Sequence, residues 1–348
     1  MQGWEQRLLR WFGRHRRAMP WRDSPEPYAV WISEIMLQQT QVETVMPYFK
    51  RFVEKFPDVR RLAAAKEDDV LKAWEGLGYY SRARNLQKAA RRIVDVFDGC
   101  VPATVEDLRS LPGVGAYTAA AVASIAFGVP VPCVDGNVLR VMARFRGSRA
   151  DIAQEATKRE TAEFLEAHIS RRSPGNFNQA LMELGAMVCR PRHPDCKACP
   201  LASDCRALAR GITGRLPVKS RKGDVPQRFM VAGVVRWGQR ILIGKRVSDG
   251  MLAGLWDLPG GAVTAKRNLQ AAVKRDVTIE TGVECEVQQG LGTVDHAYSH
   301  FKVTLHVFDC KRAGGRLTPG GRFTQLRWVT AEQLDAYPLT GLARKVLR

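Results

Sequence analysis

Four cysteines lie within one short segment of the chain: Cys189, Cys196, Cys199 and Cys205, with the spacing C-x6-C-x2-C-x5-C. Four thiolates in such a loop can bind a [4Fe–4S] cube, because each of its irons takes one sulfur ligand. A zinc ribbon usually has two separate C-x2-C pairs, and this loop has one. Disulfide pairing would require an oxidising compartment. The spacing therefore favours an iron–sulfur cluster in a reducing, intracellular environment, with zinc as the alternative.

Two acidic residues stand in settings that favour opposite protonation states. Glu34 lies in a mostly apolar helical segment, with Gln38 and Gln41 predicted on the same face, and burial would raise its proton affinity. Asp135 precedes a helix, whose dipole favours the ionised form. A proton donor and a nearby anion can together hydrolyse a glycosidic bond. The alternatives are a surface acid for Glu34 and a helix N-cap for Asp135.

The segment Leu111–Ala119 contains a glycine-rich turn between two apolar segments. Gly113 and Gly115 permit a tight turn with bare amides, and these amides and the next helix N-terminus can bind a phosphate. Such a turn is weak evidence alone. Its combination with Val134–Val138, at the start of the next helix, indicates a DNA-binding hairpin.

The elements that must position these residues follow from composition and periodicity. The chain has 348 residues, 45% of them hydrophobic, and a net charge of +19. Residues 229–348 carry +7 and the preceding residues +12, so both parts are cationic, as expected of proteins that bind a polyanion. A merely soluble basic protein is the alternative. The polar, arginine-containing N-terminus and the lack of a long apolar run favour a cytoplasmic protein that binds nucleic acid.

Hydrophobic spacing predicts a helical first part and a mixed second part. Helices are expected at 30–52, 70–74, 83–97, 116–127, 136–146, 164–170 and 177–188. Strands are expected at 229–236, 241–245, 283–288, 301–308 and 325–329, with a helix at 269–281. The predicted architecture is an all-α domain at residues 1–210, a basic linker at 211–227 and an α+β domain at 228–348.

The hairpin, the aspartate and the cysteine loop together resemble the helix-hairpin-helix DNA glycosylase superfamily, in its [4Fe–4S] branch. In the members that also cut DNA, a hairpin lysine attacks the sugar. Tyr117 stands at that position here and cannot form the imine. The resemblance therefore implies a monofunctional glycosylase, which leaves an abasic site.

The resemblance is more specific to the MutY family, which removes adenine mispaired with 8-oxoguanine. It rests on Ser33–Val42, Pro20–Arg22, Gly76–Arg82, the hairpin and the cysteine loop, and it extends over essentially the whole chain. It implies base excision repair by a monomer acting on double-stranded DNA with A:8-oxoguanine or A:G mispairs, and a bacterial-type protein associated with the nucleoid.

The resemblance also implies roles for individual residues. Glu34 would protonate adenine at N7, Asp135 would stabilise the sugar cation, and Tyr117 and Asn137 would support these two carboxylates. Further residues would contact the flipped adenine, bind a phosphate through the hairpin, or enter the DNA at the mismatch. These are Arg22, Leu37, Gln39, Thr40, Tyr79, Gly113, Gly115 and Gln179. Other members of the family have glutamate at the position of Gln179.

The second domain resembles a Nudix domain with an altered metal site. Aligned from Gly261, the motif that normally supplies acids for Mg²⁺ has Arg267 and Ile279 at two acidic positions and keeps Asp276 and Glu280. In the MutY family such a domain recognises 8-oxoguanine. The implied contact residues are Tyr298, Ser299 and His300, although Tyr298–His300 is also typical of a turn at a strand end.

Three other functions remain open at this stage. A glycosylase with lyase activity on oxidised pyrimidines shares the helical core but would have lysine at position 117. A non-enzymatic reader of damaged DNA would lack Glu34 or Asp135. A nucleotide hydrolase would need the acids that are replaced at Arg267 and Ile279.

Overall fold

The computed structural model describes residues 3–23, 25–220, 223–264, 268–298 and 300–347. Arg267 and Ser299 lie outside these ranges. The chain forms two compact units: residues 1–64 with 88–222, and residues 65–87 with 223–348. These units differ from the expected domain bounds at residues 65–87, which pack with the second unit. The bounds 1–210, 211–227 and 228–348 stay a prediction.

Up to residue 222 the described secondary structure is helical. The helices are α1 (Trp4–His15), α2 (Pro20–Asp23), α3 (Pro27–Leu37), α4 (Val42–Lys55), α5 (Val59–Ala64), α6 (Glu67–Ala73), α7 (Ser81–Phe97), α8 (Val105–Arg109), α9 (Ala116–Phe127), α10 (Gly136–Arg146), α11 (Glu155–Glu166), α12 (Pro174–Met187) and α13 (Arg206–Ala209). Short 3₁₀ turns occur at Ala202–Asp204 and Thr213–Arg215.

The remaining chain forms a mixed sheet with two helices. Its elements are β1 (Gln227–Trp237), β2 (Arg240–Arg246), β3 (Trp256–Asp257), β4 (Gly260–Val263), α14 (Leu269–Thr281), β5 (Val283–Ala297), β6 (Lys302–Gly315), β7 (Phe323–Val329), a 3₁₀ turn (Glu332–Ala336) and α15 (Gly341–Leu347). The sheet runs in the order β3-β2-β1-β6-β5, with β4 paired to β1 and β7 paired to β2. Strand β6 is parallel to β1 and antiparallel to β5. The predicted fold class, an all-α core and an α+β second part, is confirmed.

The core of the first unit joins the chain start to the helices that carry the candidate site. Apolar side chains of α1, α10 and α12, including Phe12, Met142 and Leu181, are buried in one cluster. Helix α10 begins at Gly136, directly after Asp135, and therefore this core fixes the position of the Asp135 backbone. None of the helices that the structure describes is both long and apolar enough to cross a bilayer.

Several predicted elements were correct, and others were wrong for identifiable reasons. The bounds of α9, α10 and α14 match the prediction. The single helix predicted at 30–52 is interrupted after Leu37, where Gln39 adopts a left-handed backbone with φ of 58°. Gln41 lies beyond this break and so does not share a helical face with Glu34. Strand β5 continues past its predicted end to Ala297, through two register shifts near Gly290.

The predicted hairpin is formed by α8, a turn and α9. Gly113 has a φ of 79°, a conformation that glycine adopts without steric cost. Gly115 has an extended backbone and no atom within 4 Å of the position of a Cβ, which leaves open space in front of the α9 N-terminus. The turn therefore presents its backbone outward, as binding to a phosphate requires.

Packing between α10 and α12 yields a stability prediction. A Cβ on Gly185 would lie 2.7 Å from the Cβ of Asn137, closer than real Cβ atoms approach. We expect Gly185→Ala to lower the free energy of unfolding by about 1–3 kcal/mol, as overpacking of a core does. The matched control is Gly13→Ala, in the open surroundings of α1, which should raise that free energy by about 0.5–1 kcal/mol. Urea unfolding measures both, and equal stabilities of the two variants would contradict the prediction.

Candidate active site

A cleft of about 540 Å³ in the first unit brings together residues that are far apart in sequence. It is lined by Glu34, Leu37, Gln38, Gln39, Gly115, Ala116, Tyr117, Thr118, Asp135 and Gly136. The residues between Glu34 and Gln39 come from the end of α3 and the turn that follows it. Residues 115–118 belong to the hairpin, and Asp135 and Gly136 stand at the start of α10. Both predicted acids therefore face one cleft, beside the predicted phosphate-binding turn.

Glu34 is buried because almost all of α3 is apolar. Residues 30–36 of this helix are buried, and Glu34 is 6% exposed, so the alternative of a surface acid is wrong. Burial raises the pKa of Glu34 to about 7; a hydrogen bond from Tyr117 opposes this rise, and the charge of Asp135 adds to it. The Tyr117 hydroxyl donates to Glu34 Oε2 at 3.2 Å. A large fraction of Glu34 is therefore protonated at neutral pH.

Asp135 is both the N-cap of α10 and a wall of the cleft. Its Oδ1 accepts a hydrogen bond from the Val138 N–H at 2.7 Å, and its Oδ2 accepts one from Asn137 Nδ2 at 2.9 Å. Burial raises the pKa of Asp135 above its ordinary value, and these two hydrogen bonds oppose the rise only in part. The capping interpretation of Asp135 is thus correct, and it holds the carboxylate in the cleft instead of excluding it from the site.

Arg22 donates hydrogen bonds both to Gln179 and to Glu183, a residue that the sequence did not single out. Arg22 Nε donates to Gln179 Oε1 at 2.9 Å, and both Arg22 Nη atoms donate to Glu183. Arg17 also binds Glu183. Burial opposes ionisation of Glu183, yet the hydrogen bonds from Arg17 and Arg22 lower its pKa to about 2. The spacing of Gln179 and Glu183, four residues apart on one helix, was the available signal.

A chain of hydrogen bonds links Asp135 to the first cysteine of the loop. Asn137 Oδ1 accepts from Arg140 Nη2 at 2.8 Å, and Arg140 Nε donates to the Cys189 carbonyl oxygen at 2.8 Å. The same Nη2 also donates to the Gly185 carbonyl oxygen at 2.8 Å. Arg140 therefore ties the start of α10 to the end of α12 and to the cysteine loop.

The cysteine loop is the segment whose spacing predicts a bound metal cluster. Within the described ranges, no set of three or more His, Cys, Asp or Glu side chains is arranged to hold a metal ion. The four cysteines are free, half-buried thiols, and burial is the main cause that raises the pKa of Cys199 to about 11.

Arg144 is buried beside the cysteine loop. It donates to five backbone carbonyl oxygens around the loop and to Cys189 Sγ at 3.4 Å. A buried guanidinium that faces a sulfur atom favours the ionised thiolate and an anionic group bound to it. The cysteines and this guanidinium are chemically suited to a thiolate-bound metal group, either an iron–sulfur cluster or zinc.

The second unit contains a cavity of about 970 Å³ that brings Tyr79 together with Tyr298 and His300. Tyr79 is 42% exposed, which rules out a core role, and its φ is 46°. The Tyr298 ring packs on the His296 and Phe301 rings at centroid distances of 4.5 and 5.0 Å. The predicted contact residue Ser299 lies outside the described residues.

The altered Nudix motif has an arginine among its remaining acids. Glu280 accepts a hydrogen bond from the Gly260 N–H at 2.9 Å, and its Oε1 forms an ion pair with Arg322 Nε at 2.6 Å. Arg322 also lies 3.5 Å from Asp257. Ile279, at a position where the motif has an acid, is 60% exposed. The Arg322 guanidinium therefore balances the negative charge of Glu280 and Asp257, as a metal ion would in the unaltered motif.

Two protein families match separate parts of the chain. Residues 32–167 match the HhH-GPD superfamily of base excision DNA repair proteins. Residues 231–348 match the NUDIX domain. The helical part is thus that of a DNA repair superfamily, and the α+β part is Nudix-like.

Individual relatives narrow the assignment. The adenine DNA glycosylase of Rattus norvegicus is 35% identical over 98% of this chain and 76% of its own. A thermostable thymine-DNA glycosylase matches 59% of this chain and 95% of its own, with 29% identity and a TM-score of 0.55. An endonuclease III in a non-covalent DNA complex matches 61% of this chain and 99% of its own, with 26% identity and a TM-score of 0.51. On the identity and coverage of the first of these, the chain belongs to the adenine DNA glycosylase (MutY) family.

Proposed function

We propose that this adenine DNA glycosylase hydrolyses the glycosidic bond of adenine paired with 8-oxoguanine or guanine, and leaves an abasic site in an uncut strand. The observation that carries the proposal is the Glu34 carboxyl, with a pKa of about 7, in one cleft with the Asp135 carboxylate. Adenine removal in base excision repair agrees with the family. The opposite base and the absence of strand cleavage are the finer parts of the proposal.

The two carboxyl groups would divide the chemistry between them. Glu34 in its protonated form donates its proton to N7 of adenine, which makes the base a better leaving group. The Asp135 carboxylate stabilises the positive charge that develops on the sugar as the bond breaks. Water then adds to the sugar carbon, and Asn137, bonded to Asp135 Oδ2, keeps the carboxylate aligned.

Tyr117 is the reason to expect hydrolysis without strand cleavage. A lyase needs an amine that forms an imine with the sugar, and a phenol cannot do so. Burial raises the pKa of Tyr117 well above its ordinary value, and the charge of Glu34 adds to this. The neutral hydroxyl remains a hydrogen-bond donor to Glu34 and takes no covalent part.

Arg22 and Gln179 would face the extruded adenine. Gln179 Oε1 already accepts a hydrogen bond from Arg22 Nε, so its amide N–H groups are the part left for the base. Extrusion costs a few kcal/mol of stacking. Leu37 and Gln39 at the end of α3, with Thr40, would enter the DNA, while the backbone at Gly113 and Gly115 would bind a phosphate.

The 8-oxoguanine strand would be read by the cavity of the second unit. Tyr79 would stack in the base step, and Tyr298, Ser299 and His300 would contact the lesion and its phosphate. Tyr298 Oη is buried and has no hydrogen-bond partner among the described residues, so the hydroxyl is available to a ligand. Burial raises the pKa of Tyr298 to about 12, which keeps this hydroxyl protonated.

The cysteines Cys189, Cys196, Cys199 and Cys205 would hold a [4Fe–4S] cluster. When bound, such a cluster would cross-link the loop and order it. The exposed Arg190, Arg192 and Lys197 on this loop would then bind phosphates as a cationic surface. We further propose that the protein acts as a cytoplasmic monomer on duplex DNA.

Replacement of Glu34 by Gln tests its role. Because the amide cannot donate the required proton, we expect Glu34→Gln to slow single-turnover adenine release by about 10²–10⁴-fold. Binding of the A:8-oxoguanine duplex should remain measurable. The matched control is Glu54→Gln, at an exposed position of α4, which should react at the normal rate. A Glu34→Gln rate close to that of the control would exclude Glu34 as the acid.

The pH dependence of the rate tests the protonation state. The active form of Glu34 is protonated, so the single-turnover rate should fall as the pH rises through about 7. The Tyr117 hydrogen bond lowers the pKa of Glu34, and therefore Tyr117→Phe should move this fall to higher pH. A fall that stays in place, or moves to lower pH, would show that Tyr117 does not act on the ionisation of Glu34.

Product analysis tests the absence of lyase activity. We expect an A:8-oxoguanine duplex treated with the enzyme to break only after alkali, and borohydride to trap no covalent complex. Tyr117→Lys supplies an amine at the hairpin and is the matched comparison, for which trapping is expected. Strand breaks with the unmodified enzyme before alkali would favour a bifunctional glycosylase.

A further inference from the structure

Glu75 joins two segments of the second unit that are far apart in sequence. It follows α6 directly, its side chain is 9% exposed, and it pairs with Arg344 of α15 at 2.5 Å. It also accepts hydrogen bonds from the Leu339 N–H at 3.2 Å and from Lys72 Nζ at 2.8 Å. A buried carboxylate with three donors, two of them cationic, has a defined position.

The two ends of this ion pair belong to different walls of the 970 Å³ cavity. Glu75 immediately precedes the loop 76–81, which forms the wall with Tyr79. Arg344 lines the cavity itself, together with Gly341 and Lys345 of α15. The separation of the two walls therefore depends on the contact between Glu75 and Arg344.

The Tyr79 wall is internally rigid. Gly76, Gly78 and Tyr79 have φ angles of 102°, 72° and 46°. This turn is closed by Trp74 Nε1, which donates to the Gly78 carbonyl oxygen at 3.1 Å, and by Arg82 Nη2, which donates to the Leu77 carbonyl oxygen at 3.1 Å. A turn fixed in this way moves as one body, so a change at its Glu75 end displaces Tyr79.

The opposite wall is attached to the strand that leads to the predicted lesion contacts. Thr340, at the start of α15, donates its hydroxyl to Asp257 Oδ1 at 2.8 Å and its N–H to the Trp256 carbonyl oxygen at 2.8 Å. Lys345 Nζ donates to the Asp295 carbonyl oxygen of β5 at 3.0 Å. Helix α15 is therefore held to β5, the strand that ends just before Tyr298.

We propose that the Glu75–Arg344 ion pair is a positioning clamp that determines specificity: it sets the spacing between the wall that carries Tyr79 and the wall that carries Tyr298 and His300, and hence the preference for 8-oxoguanine over guanine. This inference rests on the proposed function. Guanine and 8-oxoguanine differ at C8 and N7, so discrimination requires the two walls to be placed to a fraction of an ångström. Glu75 contacts no base and acts through the position of Tyr79.

Substitution of Glu75 and of a matched acid on α6 tests the clamp. Glu75→Gln keeps the size and removes the charge, Glu75→Asp keeps the charge, and Asp68→Asn removes the ion pair of Asp68 with Lys245 of β2, which lies outside the cavity. The measured quantity is the ratio of single-turnover adenine release from A:8-oxoguanine and A:G duplexes. We expect this ratio to fall by about tenfold in Glu75→Gln, to recover partly in Glu75→Asp and to stay normal in Asp68→Asn.

A second measurement tests the Glu75–Arg344 clamp in the protein without DNA. Amide hydrogen exchange of residues 76–80 and 341–345 should be faster in Glu75→Gln than in the unmodified protein, at an unchanged melting temperature. Unchanged exchange would overturn the clamp, and so would an equal loss of rate on both duplexes. If the unmodified enzyme itself showed no preference for 8-oxoguanine, the proposed function of the second unit would fail, whereas the exchange result would still decide whether the clamp exists.

Discussion

Removal of the Glu34 carboxyl from water is the constraint on which the candidate site depends. The segment Val30–Met36 is buried around it, so the charged form has lost most of its hydration. A single phenol, that of Tyr117, donates to the carboxyl, and this is too little to restore full ionisation. Glu183 is equally buried, yet two guanidinium groups keep it charged. This contrast is the reason why we propose Glu34 as the proton donor and Glu183 as the residue that positions Arg22.

The cysteine loop and the candidate cleft are structurally connected through α10 and α12. Arg140 and Arg144 are neighbours on one face of α10, and both donate to the Cys189 carbonyl oxygen. Gly185 allows α12 to approach Asn137 closely. Asp135 is therefore joined to the loop through Asn137 and Arg140, so a displacement of Cys189 can be transmitted to the Asp135 carboxylate.

Much of this arrangement could be predicted from sequence because the decisive signals are local. The cap at Asp135, the turn at Gly113 and the apolar surroundings of Glu34 each depend on a few neighbouring residues. The break after Leu37 was missed because Gln38–Gln41 contain no glycine or proline. Residues 65–87 group with the second unit through partners that are distant in sequence, such as Arg344 for Glu75, and nothing in the periodicity of α6 predicts such a partner. Glu183 was missed for a similar reason, since its role comes from Arg17 and Arg22.

The capping hydrogen bond of Asp135 separates two properties that are usually lost together. An asparagine accepts a hydrogen bond from a helix N-terminus about as well as an aspartate does. The first turn of α10 thus needs an oxygen atom at this position, whereas the bond-breaking step needs the negative charge. Folding requires the side-chain oxygen of residue 135, and the proposed chemistry requires its negative charge. A change from aspartate to asparagine would therefore remove the charge and leave the helix cap intact.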